Sequence, residues 1–124
     1  MIKRTYTYID YEGVERTEDF FFHMEKAEIV RMEMSVYGGM RKLLQKIIAE
    51  KDSKKLYEHF ENLVQQSYGV KSDDGRRFIK KPELLAEFMQ TPAYSMLIME
   101  LITDAEKAAE FTNKILPQDL GEEK

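Results

Sequence analysis

The chain has 124 residues, 43% of them hydrophobic and 34% charged, with a formal net charge of -4 and no cysteine. That length suits one domain with its own core, and the composition is that of a soluble globular protein. It excludes disulfides, thiol nucleophiles and zinc–thiolate sites, offers no run near the roughly 18 apolar residues of a membrane span, and argues against a general nucleic-acid binder.

The N-terminus, Met1 to Tyr6, lacks the apolar centre of a signal peptide and reads as folded structure. Ile2 to Asp10 alternates, with Tyr6 and Tyr8 on one face and Thr5 and Thr7 on the other. Val14 to Phe22 repeats the period, with Val14, Phe20 and Phe22 together and Phe21 opposite. Asp10-Tyr11-Glu12-Gly13 between them has the chemistry of a type I turn followed by a left-handed glycine. This predicts an antiparallel hairpin over about residues 2–22 whose aromatic face packs on something else.

Helical periodicity follows. Lys26 to Tyr37 carries Ala27, Val30, Met34 and Tyr37 on one stripe, stopped by Gly38-Gly39. Its cap is Glu25, a poorer one than Ser, Thr or Asp. Met40, Leu43, Leu44, Ile47 and Ile48 mark a second helix. Asp52 or Ser53 caps a third through Leu56, Phe60, Leu63 and Val64, ending at Gly69. Pro82 opens a short helix with Leu84, Leu85 and Phe88, and Thr91-Pro92 caps and opens the next. Asp104 caps a last helix holding Ala108, Phe111 and Ile115, with Pro117 as its stop and 118–124 as a polar tail. The expected fold is α+β, mostly helical, with about five to six helices over 25–116 behind the N-terminal antiparallel β-hairpin, and 1–117 forming a single domain.

The stretch from Lys71 to Lys81, KSDDGRRFIKK, admits three uses. A calcium loop needs spaced acids before its glycine, and Asp73 and Asp74 are adjacent. A polyanion grip would use Arg76, Arg77, Lys80 and Lys81, with Phe78 stacking on a base. A turn accounts for more of the residues: Ser72-Asp73-Asp74-Gly75 repeats the chemistry of Asp10 to Gly13, and Phe78 becomes a buried anchor. His23 and His59 belong to no metal-binding helix motif. There is no nucleophile elbow and no glycine-rich phosphate loop, and nothing selects a carboxylate pair. No catalytic residue, cofactor site or metal site is assigned, and the protein is expected not to be an enzyme.

The helix from Thr91 to Ile102 is apolar nearly all round. Tyr94, Leu97, Ile98, Leu101 and Ile102 make an ordinary core stripe, and Met96 and Met99 add apolar surface outside it. Such a helix is buried centrally or by a partner. The chain has eight methionines, and methionine suits surfaces that accept varied apolar ligands. Met32 and Met34 extend that reading to the first helix.

Three segments, DYEGVERTEDFFF, KAEIVRMEM and YGVKSDDGRRFIKKPELLAEFMQTPAYSMLIMELITDAEKAAEFTNKILP, resemble the tail assembly chaperones of long-tailed, siphovirus-type bacteriophages of Gram-positive bacteria. The resemblance runs from Thr5 to Pro117. Its most specific parts are the loop YG-x-K-S-x-D-G-R-x-F, Tyr68 to Phe78, and the helix T-x-A-Y-S-x-L-x-x-E-L, Thr91 to Leu101. It implies a chaperone of the host cytoplasm, not of the mature virion. Such a protein binds the tape-measure protein, keeps its apolar helices soluble and recruits tail-tube subunits, the tube contact belonging mainly to a frameshift-extended form. The ending Gly121-Glu122-Glu123-Lys124 looks like the unextended form. Self-association of subunits along a long client fits the same role. On this basis the protein-binding candidates are Tyr94, Met96 and Met99, joined by Met32 and Met34, with Phe21 on the hairpin as a second surface. The rival from another class is a small nucleic-acid-binding regulator using Arg76, Arg77, Lys80 and Lys81.

Overall fold

Two eight-residue strands, β1 (Ile2–Ile9) and β2 (Glu15–Phe22), pair antiparallel in the register Ile2↔Phe22 through Ile9↔Glu15. They belong to a computed structural model that describes residues 1–116. The expectations for Pro117 and for 118–124 lie outside the described residues. Alternation buries Ile2, Tyr6, Tyr8, Phe20 and Phe22 on one face. The other face is tied by cross-strand bonds from Thr5 to Asp19 at 2.6 Å and between Thr7 and Thr17 at 2.8 Å. The connecting turn forms as its chemistry predicts. Gly13 has φ +83°, and Asp10 Oδ1 accepts the N–H groups of Glu12 and Val14, each at 2.9 Å. Val14 has the parity of Phe20 and Phe22 but lies ahead of β2, past the packed part of the hairpin, and is exposed.

Six helices lie among the described residues: α1 (Lys26–Met34), α2 (Met40–Glu50), α3 (Ser53–Ser67), α4 (Pro82–Met89), α5 (Pro92–Thr103) and α6 (Ala105–Ile115). Their starts follow local chemistry. Asp52 accepts the Lys55 N–H at 3.1 Å, and Asp104 accepts the Glu106 and Lys107 N–H groups at 3.0 and 3.2 Å. Thr91 accepts the Tyr94 N–H at 3.4 Å, and Pro82 and Pro92 occupy first turns. At α1 the weak cap is reinforced: the Glu28 carboxylate takes the Glu25 N–H at 2.8 Å, one half of a capping box.

The third helix stops at Ser67, two residues before the expected glycine, and two short strands follow. They are β3 (Tyr68–Lys71) and β4 (Phe78–Ile79), paired Val70↔Ile79 and Lys71↔Phe78. Tyr68 and Val70 favour extended backbone. The segment is captured by β2 through Phe21↔Gly69 and Phe22↔Tyr68. The result is one antiparallel sheet in the order β1-β2-β3-β4, in an α+β fold.

The buried face of the hairpin packs on α5 and α6. Phe88 of α4 forms the hub of the core aromatics: it stacks on Tyr68 at 4.4 Å between centroids and meets Phe20 at 4.9 Å, Tyr94 at 5.4 Å and Phe22 at 5.8 Å. A polar clamp closes the hairpin onto the helices. Glu100 accepts the Tyr6 hydroxyl at 2.8 Å and pairs with Lys107 at 3.0 Å, and the Arg4 guanidinium lies 3.7 Å from Glu100 and from Glu110. Burial, reinforced by the Glu100 hydrogen bond and charge, pushes the Tyr6 phenol well above its usual range.

Candidate interaction surfaces

The first helix is inverted relative to its expected core stripe. The helix ends at Met34, three residues short of the expected Tyr37; Ala27, Val30 and Met34 do line up, but they face solvent, and Tyr37 lies in the turn beyond them. The buried side of α1 is the narrower pair Ile29 and Met32. Met34 is 75% exposed and Tyr37 fully so. Two polar latches hold the helix in this orientation. Lys80 Nζ reaches Glu28 at 2.9 Å, and at the other end the Arg41 N–H donates to Glu33 at 2.7 Å. Burial alone would raise the Glu28 carboxyl, but the Lys80 and Glu25 hydrogen bonds outweigh it and hold it below the usual carboxylate range. The turn after α1 uses Gly38 and Gly39 at φ +85° and +93°, and a Cβ on Gly39 would lie 2.9 Å from the Glu33 carboxylate.

On α5, Met96 and Met99 are 41% and 51% exposed, sharing one side of the helix with Ser95 and Thr103. Leu97, Ile98 and Leu101 face inward, so the helix is neither wholly central nor wholly offered. Two expected contact residues are core. Tyr94 is 8% exposed, donating to Glu61 at 2.7 Å and accepting from Gln65 at 3.2 Å. Its phenol belongs to the α3–α5 packing, and its ring to the Phe88 cluster. Met32 is 9% exposed and borders a cleft of about 220 Å³ with Met24 and Met40. Burial therefore removes Tyr94 and Met32 from the accessible surface. Phe21 is half-buried on the outer face of the hairpin, with the Lys71 ammonium 4.4 Å from its ring centroid.

The KSDDGRRFIKK stretch is a hairpin turn. The Gly75 N–H donates to the Ser72 carbonyl and the Ser72 N–H to the Arg77 carbonyl, each at 2.9 Å, and Gly75 has φ +76°. Asp74 accepts from Ser72 Oγ at 2.7 Å and the Arg76 N–H at 3.0 Å, and these bonds, the backbone one first, lower its carboxyl pKa. Phe78 is half-buried rather than fully buried. Its ring covers Gly69 so closely that a Cβ there would lie 2.5 Å from Phe78 Cε2. The four cations are not brought together as one grip. Lys80 is committed to Glu28 and to the Gln66 carbonyl at 3.0 Å, while Arg76, Arg77 and Lys81 are exposed. His23 bonds Glu25 at 2.8 Å and meets Phe78 edge-on, and His59 is half-buried on α3. Among the described residues no group of three His, Cys, Asp or Glu could hold a metal ion, and no helix is long and apolar enough to cross a membrane.

Sequence reasoning missed the exposure of Val30 and Tyr37 and the clamp at Glu100. The signal for the first was present: a second apolar pair, Ile29 and Met32, on the other side of the same helix. For Glu100 there was a lone acid in an apolar helix, without a partner that could be named from spacing.

The fold defines an α+β protein with exposed apolar side chains on the outer faces of α1 and α5, among them Val30, Met34, Met96 and Met99. A family model described as phage tail assembly chaperone matches residues 1–124, and the chain belongs to that family. No curated protein and no solved structure gives a significant match.

Proposed function

We propose that this chain is a non-enzymatic holding chaperone for the tape-measure protein, acting in the host cytoplasm and absent from the mature virion. Residues 1–117 act as one domain, and apolar helices of the client dock on its outer helix faces. The observation that carries the proposal is the exposed apolar surface of Val30 and Met34 on α1, continued by Tyr37 in the turn that follows it. Met96 and Met99 on α5 supply a second adaptable apolar face. Helix-on-helix docking through such faces gives affinity without a fixed client sequence. Charged residues around them, Arg31 beside the α1 stripe among them, form a rim that keeps binding reversible. Recruitment of tail-tube subunits belongs to the same role, mainly through a frameshift-extended form. Several copies would coat a long client, with the outer face of the hairpin around Phe21 available for contact between them.

Co-expression with the tape-measure protein, followed by size-exclusion chromatography with mass detection, tests this. A soluble complex is expected where the client alone precipitates. A client that stays insoluble, with this chain eluting alone, would overturn the proposal.

A further inference from the structure

The sheet has one long open edge. In the order β1-β2-β3-β4, β1 has a neighbour only on its β2 side, and its eight residues, Ile2–Ile9, run along that edge. The Asp10 N–H bonds the Val14 carbonyl at 2.8 Å, one step beyond the Ile9↔Glu15 pair. By antiparallel alternation the even residues of β1 exchange hydrogen bonds with β2, and the N–H and C=O groups of Lys3, Thr5, Thr7 and Ile9 point to the open side. The far side of β2 keeps the same parity, since the His23 N–H donates to the Ser67 carbonyl there. Lys3, Thr5, Thr7 and Ile9 are all exposed. Among the described residues no strand pairs with that edge and no loop backbone bonds to it. Proline, a bulge or a central charge commonly keeps a strand edge from pairing. β1 has no proline, its register with β2 is unbroken, its middle is Thr5-Tyr6-Thr7, and its one outward charge, Lys3, sits near an end.

The strand complements itself. Two copies laid antiparallel about an axis at Tyr6 pair Lys3 with Ile9 of the second copy and Thr5 with its Thr7, so every outward-pointing residue finds a partner. The two Lys3 side chains then lie at opposite ends. Each has Glu15 of the second copy next along its row, because Glu15 is the cross-strand partner of Ile9. Thr5 already donates to Asp19 at 2.6 Å, and Thr7 shares a hydrogen bond with Thr17 at 2.8 Å. Setting Thr5 against Thr7 joins these pairs into one polar ladder, Asp19, Thr5, Thr7, Thr17, across both hairpins. The contact also covers part of Ile9, which is 58% exposed. On the inner face Arg4 comes opposite Tyr8, its charge already met by Glu100 and Glu110 of its own copy.

We infer that the chain forms a symmetric dimer in which the β1 edges of two copies pair antiparallel about Tyr6, joining their sheets into one. Such an interface uses the same patch on both copies and closes at two. It requires no client, so the inference is independent of the tape-measure role, which rests on the helix faces.

The test is sedimentation of the chain alone over a concentration series, with amide hydrogen exchange followed by NMR on the same samples. A monomer–dimer equilibrium is expected. Where the dimer is populated, the Thr5 and Thr7 amides should be protected, while the Thr17 amide, on the far side of β2, exchanges as in the monomer. T5K/T7K, at exposed positions, sets like charges opposite each other and should raise the dimer Kd about tenfold or more, as should T5E/T7E. Mixing the two variants should restore a dimer with one copy of each. The exchange measurement uses the native chain and decides the question should either double variant unfold. A chain that stays monomeric up to about 1 mM would overturn the inference. So would a dimer whose Thr5 and Thr7 amides exchange freely, self-association that both double substitutions leave unchanged, or folded variants that form no mixed dimer.

Discussion

If the outer side of α1 and the turn after it form the proposed client surface, substitutions there and on the packed side of α1 should have opposite effects. Met34 is 75% exposed and Tyr37 fully exposed in the free chain, so M34E/Y37E removes almost no buried contact. Its effect on stability should stay within about 0.5 kcal/mol. A client helix that covers both side chains gains roughly 1.5–3 kcal/mol for each. Losing both should weaken the complex at least a hundredfold or so, even after part of that gain is spent on ordering the interface. Met32 behaves in the reverse sense. It is 9% exposed, and M32A should cost at least about 2 kcal/mol, near the low end for such truncations because it already borders a cleft. Urea unfolding followed by circular dichroism measures the first quantity. Titration of a soluble tape-measure fragment measures the second. If M34E/Y37E destabilises the free chain by more than about 1 kcal/mol, the outer face is packed. If the fragment binds it as tightly as the native chain, α1 is not the client surface.

Phe88 is 2% exposed and touches four rings, so F88A should cost about 3–5 kcal/mol, a large share of a typical domain's stability. A cost under about 1.5 kcal/mol in urea would show that the cluster is not central. In G69A the new Cβ would lie 2.5 Å from the Phe78 ring and 2.9 Å from the Ile79 carbonyl, a backbone atom that cannot swing away. Faster hydrogen exchange across β3 and β4, with the hairpin Ile2–Phe22 unchanged, is the expected result. The Glu28 carboxyl is held below its usual range, so its stabilising contribution is present above the unfolded value near 4.5 and is lost as pH falls through the lower folded value. The stability gap between the native chain and E28Q should therefore close on acidification and persist at neutral pH, as read from urea midpoints along a pH series.

The fold was legible wherever one local rule decided the outcome. Asp10 to Gly13, Asp52, Thr91-Pro92 and Asp104 each satisfy backbone groups within a few residues of themselves, so turn and cap chemistry fixes them. Met40 to Ile48 has one apolar side and therefore one way to pack. Tyr68 to Ile79 was only half legible. Its turn is local, but whether Tyr68 continues the helix or joins a strand depends on Phe21 and Phe22, more than forty positions earlier. The Glu100 clamp has the same cause: Tyr6 and Arg4 approach it from the far end of the chain.

The candidate surface was harder to read because periodicity gives the direction of a stripe but not what covers it. Along α1 two apolar lines compete, Ile29 with Met32 and the longer Ala27, Val30 and Met34, with Tyr37 in the turn beyond. A free chain optimised only for its own burial would turn the longer line inward, since stabilisation grows with apolar area removed from water. The observed orientation buries the shorter line and relies on polar anchoring at both ends, through Lys80 on Glu28 and the Arg41 N–H on Glu33. Forgone burial of that size must be recovered elsewhere or it would be a standing cost to the free protein. A client helix laid on Val30, Met34 and Tyr37 would recover it, so the proposed holding role would account for an otherwise wasteful packing choice.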